Sequence, residues 1–164
     1  MLYENLMNYN YKLSESEVVT AMKIHGKASK LILGVLCSVA VVFILIGIFT
    51  KYKFLGFGSV LGGVIGYFSA LMLVIPFYAK RHFKQNKALK NEISVQFSEQ
   101  GINFKGESGE STLQWSYIHK WKYDKGIYLL YITNNMFHII PQRALTNESN
   151  LDTLLNKHLG SKKP

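Results

Sequence analysis

The sequence predicts an α+β membrane protein, a two-helix transmembrane hairpin carrying a small antiparallel β domain that one C-terminal helix closes. Three observations predict it. Residues 31–50 and 54–79 are apolar runs without a single charge, residues 93–140 break into short segments of alternating polarity, and leucines recur at helical spacing near the C-terminus. At about 1.5 Å of rise per residue, a helix of some 20 residues crosses the roughly 30 Å of hydrocarbon in a bilayer. The chain therefore divides into an N-terminal strand and helix (1–30), the hairpin (31–79) and a basic juxtamembrane stretch followed by the β-rich domain (80–164).

At the start, Tyr9, Tyr11 and Leu13 alternate with polar residues, the pattern of a half-buried strand. So short a strand needs partners, and the domain after the hairpin is the place to find them. Ser14 followed by Glu17 makes a capping box, so a helix is expected from about residue 15, with Val18, Val19 and Met22 as its apolar stripe. The polar opening residues do not read as a signal peptide, which leaves the first apolar run as its own insertion signal.

In the second apolar run Gly58, Gly62, Gly66 and Ala70 recur every four residues and offer one small-residue face for close helix contact, within the hairpin or between copies. Gly34 and Ser38 repeat the spacing on the first run, where Cys37, the sole cysteine, reads as a small residue at a helix contact. One cysteine excludes an intrachain disulfide and a cysteine zinc cluster. Pro76 is expected to bend the last turns of the second run. The formal charge of +9 is concentrated beside the hairpin: Lys23, Lys27 and Lys30 precede it, and Lys80, Arg81, Lys84, Lys87 and Lys90 follow it as candidate membrane-surface residues. Eight basic residues there against Lys51 and Lys53 in the loop predict a multi-pass protein of the inner membrane with both termini cytoplasmic.

Beyond residue 91 the texture is that of an antiparallel sheet or open barrel. Ile93, Val95 and Phe97 form a stripe, Glu99-Gln100-Gly101 a turn, and Ile102 and Phe104 resume the alternation. Residues 106–111 read as a loop, followed by strands at 112–118, 120–123, 127–133 and 136–140, with turns at Asp124-Lys125-Gly126 and Asn134-Asn135. Pro141 stops the last strand, and Thr146 is placed to cap a final helix with Leu151, Leu154, Leu155 and Leu159 inward.

Three segments carry a family resemblance: Val95-Gln96-Phe97 with Gly101-Ile102, Leu113-Gln114-Trp115-Ser116-Tyr117-Ile118, and Ile139-Ile140-Pro141-Gln142-Arg143-Ala144-Leu145. They resemble the first hairpin, the L-x-W-S-x-I strand and the I-I-P-x-R-A-F ending of the YcxB-like family of small bacterial membrane proteins. Leu145 stands where that family carries an aromatic, and Tyr117 where an acidic residue is common. The resemblance implies a cytoplasmic domain similar to bacterial pleckstrin-homology-like modules. It supplies no catalytic residues.

Chemistry is sparsely provided for. His25, His82, His119, His138 and His158 lack metal-ligand spacing, and His119 and His138 are the one pair that neighbouring strands could bring face to face. Walker, nucleophile-elbow and zinc-protease patterns are absent, so no catalytic, metal or cofactor residues are expected and the chain reads as non-enzymatic. Trp115 reads as core. Trp121, between Lys120 and Lys122, reads as a surface aromatic for an anionic lipid headgroup or a protein partner, with single-stranded nucleic acid the least favoured. The expected function is a membrane-anchored binding or scaffolding module, with self-protection against a membrane-active toxin or bacteriocin as the alternative. The expected partners are the bilayer, a protein or anionic headgroups, and a second copy of the chain.

Overall fold

The lone strand at the start of the chain finds its partner across the whole hairpin. In the computed structural model, which describes residues 7–107, 109–145 and 148–160, β1 (Met7–Lys12) pairs antiparallel with β2 (Glu92–Phe97), setting Tyr9 opposite Val95 and Tyr11 opposite Ile93. Helix α1 (Glu15–Gly26) follows β1 in the chain, and strands β3 (Gly101–Gly106) and β4 (Gly109–Gln114) complete a four-stranded sheet in sequence order. A second sheet holds β5 (Lys120–Asp124), β6 (Ile127–Tyr131) and β7 (Phe137–Pro141), and helix α5 (Glu148–Leu159) follows. The described residues up to Ala21 and those from Ala79 onward form one compact unit, and Met22–Tyr78 form another.

The alternation read from the sequence becomes the core of the first unit. Val95, Phe97 and Ile102 are fully buried in the first sheet, and Leu129, Leu130 and Ile140 in the second. Strand β6 is buried along its whole length, so it is covered on both faces. Leu151 and Leu155 bury the inner face of α5, while the capping role expected of Thr146 lies outside the described residues. Lys125 and Gly126 both have positive φ, 49° and 74°, which gives the β5–β6 hairpin the two-residue turn whose twist suits its strands.

Several boundaries differ from the alternation: β6 ends at Tyr131 instead of 133, and β7 starts at Phe137 and takes in Pro141 as its last residue. The expected loop at 106–111 contracts to a tight turn, because β3 runs to Gly106 and β4 already begins at Gly109. The strand expected at 112–118 ends at Gln114, where Trp115–Tyr117 turn as a short 3-10 helix. That turn aims the Trp115 indole inward, where its N–H donates to the Ser98 carbonyl at 3.0 Å.

In the second unit, α2 (Lys30–Phe49) is capped by Ser29, whose hydroxyl accepts from the Ile32 amide. Helix α3 (Lys53–Ser69), a π-helical segment at Ala70–Val74 and α4 (Ile75–Gln85) follow as one helical run. The π segment ends at Val74, two residues before Pro76. Ile75 N–H bonds to the Ala70 carbonyl five residues back, and this wider turn accommodates the residue that has no N–H to give. Both Lys30–Phe49 and Lys53–Gln85 are long and apolar enough to cross a membrane.

The helix contact is not where the glycine repeat puts it. A Cβ on Gly58, Gly62 or Gly66 would meet nothing within 4 Å, so that face does not pack inside the hairpin; Gly34 is equally open and Cys37 is exposed. Helices α2 and α3 instead meet at Gly47 and Gly56. A Cβ on Gly56 would lie 2.5 Å from the Phe43 carbonyl oxygen and 2.7 Å from Gly47 Cα. The short loop forces the helices together at this end, and only glycine leaves room for a backbone so near.

Candidate functional site

Strand ends, not a sequence motif, make an apolar-walled recess in the first unit. At one end of the domain β1 finishes, β2 begins, β3 turns into β4 and β7 begins, and a cleft of about 390 Å³ opens between them. Tyr11, Leu13, Ile93, Phe104, Phe137 and Ile139 are its apolar walls. Glu92, Lys105, Glu107 and Glu110 carry the charge around it.

Two features give the cleft its chemistry. The imidazole of His138 stacks on the Phe104 ring, with centroids 4.0 Å apart and planes 13° from parallel. Burial pushes its pKa below the ordinary 6.5, so at neutral pH the ring is uncharged, with one nitrogen a donor and the other an acceptor. No hydrogen bond reaches those nitrogens from the described residues. At the rim, Asn91 donates to Glu107 and Asn103 to Glu110, each at 2.6 Å, so both carboxylates are held in place with acceptor positions to spare.

A second cluster ties the N-terminal segment to the domain. Ser14 N–H donates to the Glu17 carboxylate at 2.8 Å and Glu17 N–H to the Ser14 hydroxyl at 3.3 Å, the expected capping box. The same carboxylate receives two hydrogen bonds from Arg143, of 2.7 and 2.9 Å, and Arg143 also donates to the Lys12 carbonyl at 2.7 Å. Burial pushes the Glu17 carboxyl up, but the bonds from Arg143 and Ser14 outweigh it and hold its pKa below the usual carboxylate value. Tyr11 closes the other side by donating to the Ile139 carbonyl at 2.9 Å, and burial raises its phenol pKa.

The surface expected at β5 is corrected. Trp121 is only 3 % exposed, and its indole N–H donates to the Gly160 carbonyl at 3.0 Å beyond the end of α5. Alternation is the reason: Trp121 and Tyr123 point toward the interior with Leu130 and Tyr128, their partners on β6, which leaves Lys120 and Lys122 on the other face. Lys120 lies over the Tyr131 ring at 4.8 Å. His119 and His138 do not face each other either, since His138 is opposite Leu130 and turns to Phe104. Of the basic stretch, Lys80, Arg81, Lys84 and Lys87 are exposed, while Lys90 folds back onto the Lys84 carbonyl. Among the described residues no three histidine, cysteine or acidic side chains are grouped to hold a metal ion.

The cleft leaves no motif in the sequence because its walls come from five separated strand ends. The one legible trace was His138, a polar residue on an otherwise apolar strand.

Two antiparallel sheets with a helix after them, joined to two long apolar helices, define an α+β protein with a split β domain. Residues 97–157, from the last residue of β2 into α5, match the family model of the YcxB-like proteins, so the chain carries a YcxB-like domain. No curated protein and no solved structure matches the chain. The family match begins at Phe97, whereas the folded unit also includes β1 and the rest of β2.

Proposed function

We propose that the chain is a non-enzymatic binding module of pleckstrin-homology-like form, anchored in the cytoplasmic membrane by two crossings, with its domain on the cytoplasmic side. One observation carries the anchor: the apolar helices keep their side chains outward, with Leu33 51 %, Val41 53 %, Leu61 62 % and Leu73 68 % exposed. Water tolerates no contiguous patch of that extent, at about 25 cal/mol per Å² of apolar surface, whereas lipid solvates it. The four-plus-three strand order with a following helix supports the pleckstrin-like form. The basic residues flanking the hairpin support the orientation, and Arg81, Lys84 and Lys87 are exposed to meet anionic headgroups at about 1 kcal/mol each, while Lys80 lies 3.5 Å from the Glu15 carboxylate.

Alkaline extraction and cysteine labelling test this reading. After Cys37→Ser, Tyr52→Cys in the loop should react with an impermeant reagent in intact cells and Asn135→Cys in the domain only after lysis. Release of the protein by carbonate, or labelling of Asn135→Cys alone, would overturn it.

A further inference from the structure

The chain is basic overall, yet the cleft between the sheets is lined by three carboxylates, Glu92, Glu107 and Glu110, against the single ammonium of Lys105. We infer that this cleft receives an apolar side chain of a basic peptide segment, seated on the Phe104–His138 stack with a neighbouring ammonium or guanidinium at Glu107 and Glu110. The inference rests on the binding-module reading and names its site and ligand class.

Size, walls and charge select this occupant. A recess of about 390 Å³ falls at the small end of ligand pockets, room for one aromatic or branched side chain. Ile93, Phe104 and Phe137 offer it an apolar lining, and the flat Phe104–His138 pair suits a ring. The neutral imidazole adds a donor and an acceptor for a peptide amide, which a purely apolar tail would leave unsatisfied. Carboxylates at the rim repel phosphate and anionic headgroups, so the ligand differs from the lipids that the basic helix end attracts. Because Asn91 and Asn103 already hold Glu107 and Glu110, little ordering is left for binding to require.

The test uses the full chain in a nonionic maltoside micelle, with NMR observation of the His138 ring and Phe104 during titration with blocked tripeptides. Lys-Phe-Lys should shift both residues saturably. Glu-Phe-Glu and Lys-Gly-Lys should bind at least about tenfold more weakly, the first lacking the charge and the second the anchor. Both rim carboxylates are exposed, so Glu107→Gln with Glu110→Gln should leave the melting temperature unchanged while weakening Lys-Phe-Lys about fivefold, the scale expected of two exposed ion pairs. No saturable shift in the folded protein, or an equal response to Glu-Phe-Glu, would overturn the inference. A response to added phosphatidylethanolamine in place of the peptide would also overturn it, by assigning the cleft to a lipid. Since the titration needs no bilayer, its failure leaves the anchor untouched, and failure of the labelling experiment leaves the cleft untouched.

Discussion

Arg143 grips Glu17 through two hydrogen bonds that span 126 residues of sequence, and its third bond goes to the Lys12 carbonyl at the end of β1. The arginine lies in a 3-10 turn just after β7, so one side chain fastens the strand before the hairpin to the sheet after it. A domain interrupted by a long insertion must recover the entropy of bringing its pieces together, and this fork does so alongside the β1–β2 ladder and the Tyr11 bond to Ile139.

Replacing Arg143 by Ala should therefore loosen β1 in particular. The pair is partly exposed, so its loss amounts to on the order of 1 kcal/mol, a fall of about 4–8 °C in the melting midpoint of a domain this size. Lysine cannot form the fork and reach Lys12 as well, so Arg143→Lys should recover less than half of the loss. Fluorescence of the two buried tryptophans in detergent reads the midpoint, and hydrogen exchange at Tyr9 and Tyr11 shows where protection is lost. Unchanged exchange in β1 would mean that the fork is not the fastening.

How much of this was legible depends on the range of the interaction. The apolar runs, the capping box at Ser14, the inward leucines of α5 and the turn at Lys125-Gly126 are local, and local chemistry decides them. Strand β1 was legible as a strand without a neighbour, which is why its partner had to lie beyond the hairpin. Trp121 was misread because flanking lysines suggest a surface, although a residue between two outward side chains on a strand must point inward. The glycine repeat does not mark the contact inside the hairpin, because spacing reveals a face but not what covers it; that contact uses Gly47 and Gly56, which share no repeat. The cleft has a single local trace, His138 on an apolar strand, because its walls are assembled from separated strand ends.

Trp121 as a core residue makes a prediction opposite to that of a surface anchor. Trp121→Ala should cost about 3–5 kcal/mol by opening a cavity and should unfold much of the domain. Trp121→Phe, which keeps a ring but drops the bond to Gly160, should cost about 1 kcal/mol. Lys120→Glu with Lys122→Glu should cost much less than Trp121→Ala, on the order of 1 kcal/mol for the lost contact of Lys120 with the Tyr131 ring. A folded, thermally normal Trp121→Ala variant would return this ring to the surface.

The glycines separate in the same way. Gly56→Ala should destabilise the hairpin, since its new methyl would run into the Phe43 carbonyl and the Gly47 backbone, which cannot rotate aside. Gly62→Leu with Gly66→Leu should leave the monomer intact, because both positions open onto empty space. Thermal stability in detergent measures the first effect, and cross-linking in native membranes reports whether the open face joins two copies. Loss of monomer stability in the Leu double variant, with Gly56→Ala tolerated, would reverse the assignment.

Acid should weaken the domain in two steps whose order follows from the directions of the pKa shifts. His138 titrates lower in the folded chain than its ordinary 6.5 because burial disfavours the cation, so the unfolded chain takes up that proton first. The stability His138 contributes is complete above its ordinary pKa and declines as the pH falls toward the folded value. Glu17 repeats the argument lower down: its folded pKa lies below 4.5, and the stability held by the Arg143 fork is lost as the pH falls through that range. The exposed Glu99, held low by Lys157, adds to the second step in the same direction. Melting midpoints from pH 8 to pH 4 should therefore stay flat, dip below about 6.5, and fall again below about 4.5. His138→Phe keeps a ring against Phe104 but has nothing to protonate, so it should erase the first dip and leave the second. A His138→Phe variant with the wild-type slope between pH 7 and pH 5.5 would show that another group, not this imidazole, takes up the proton.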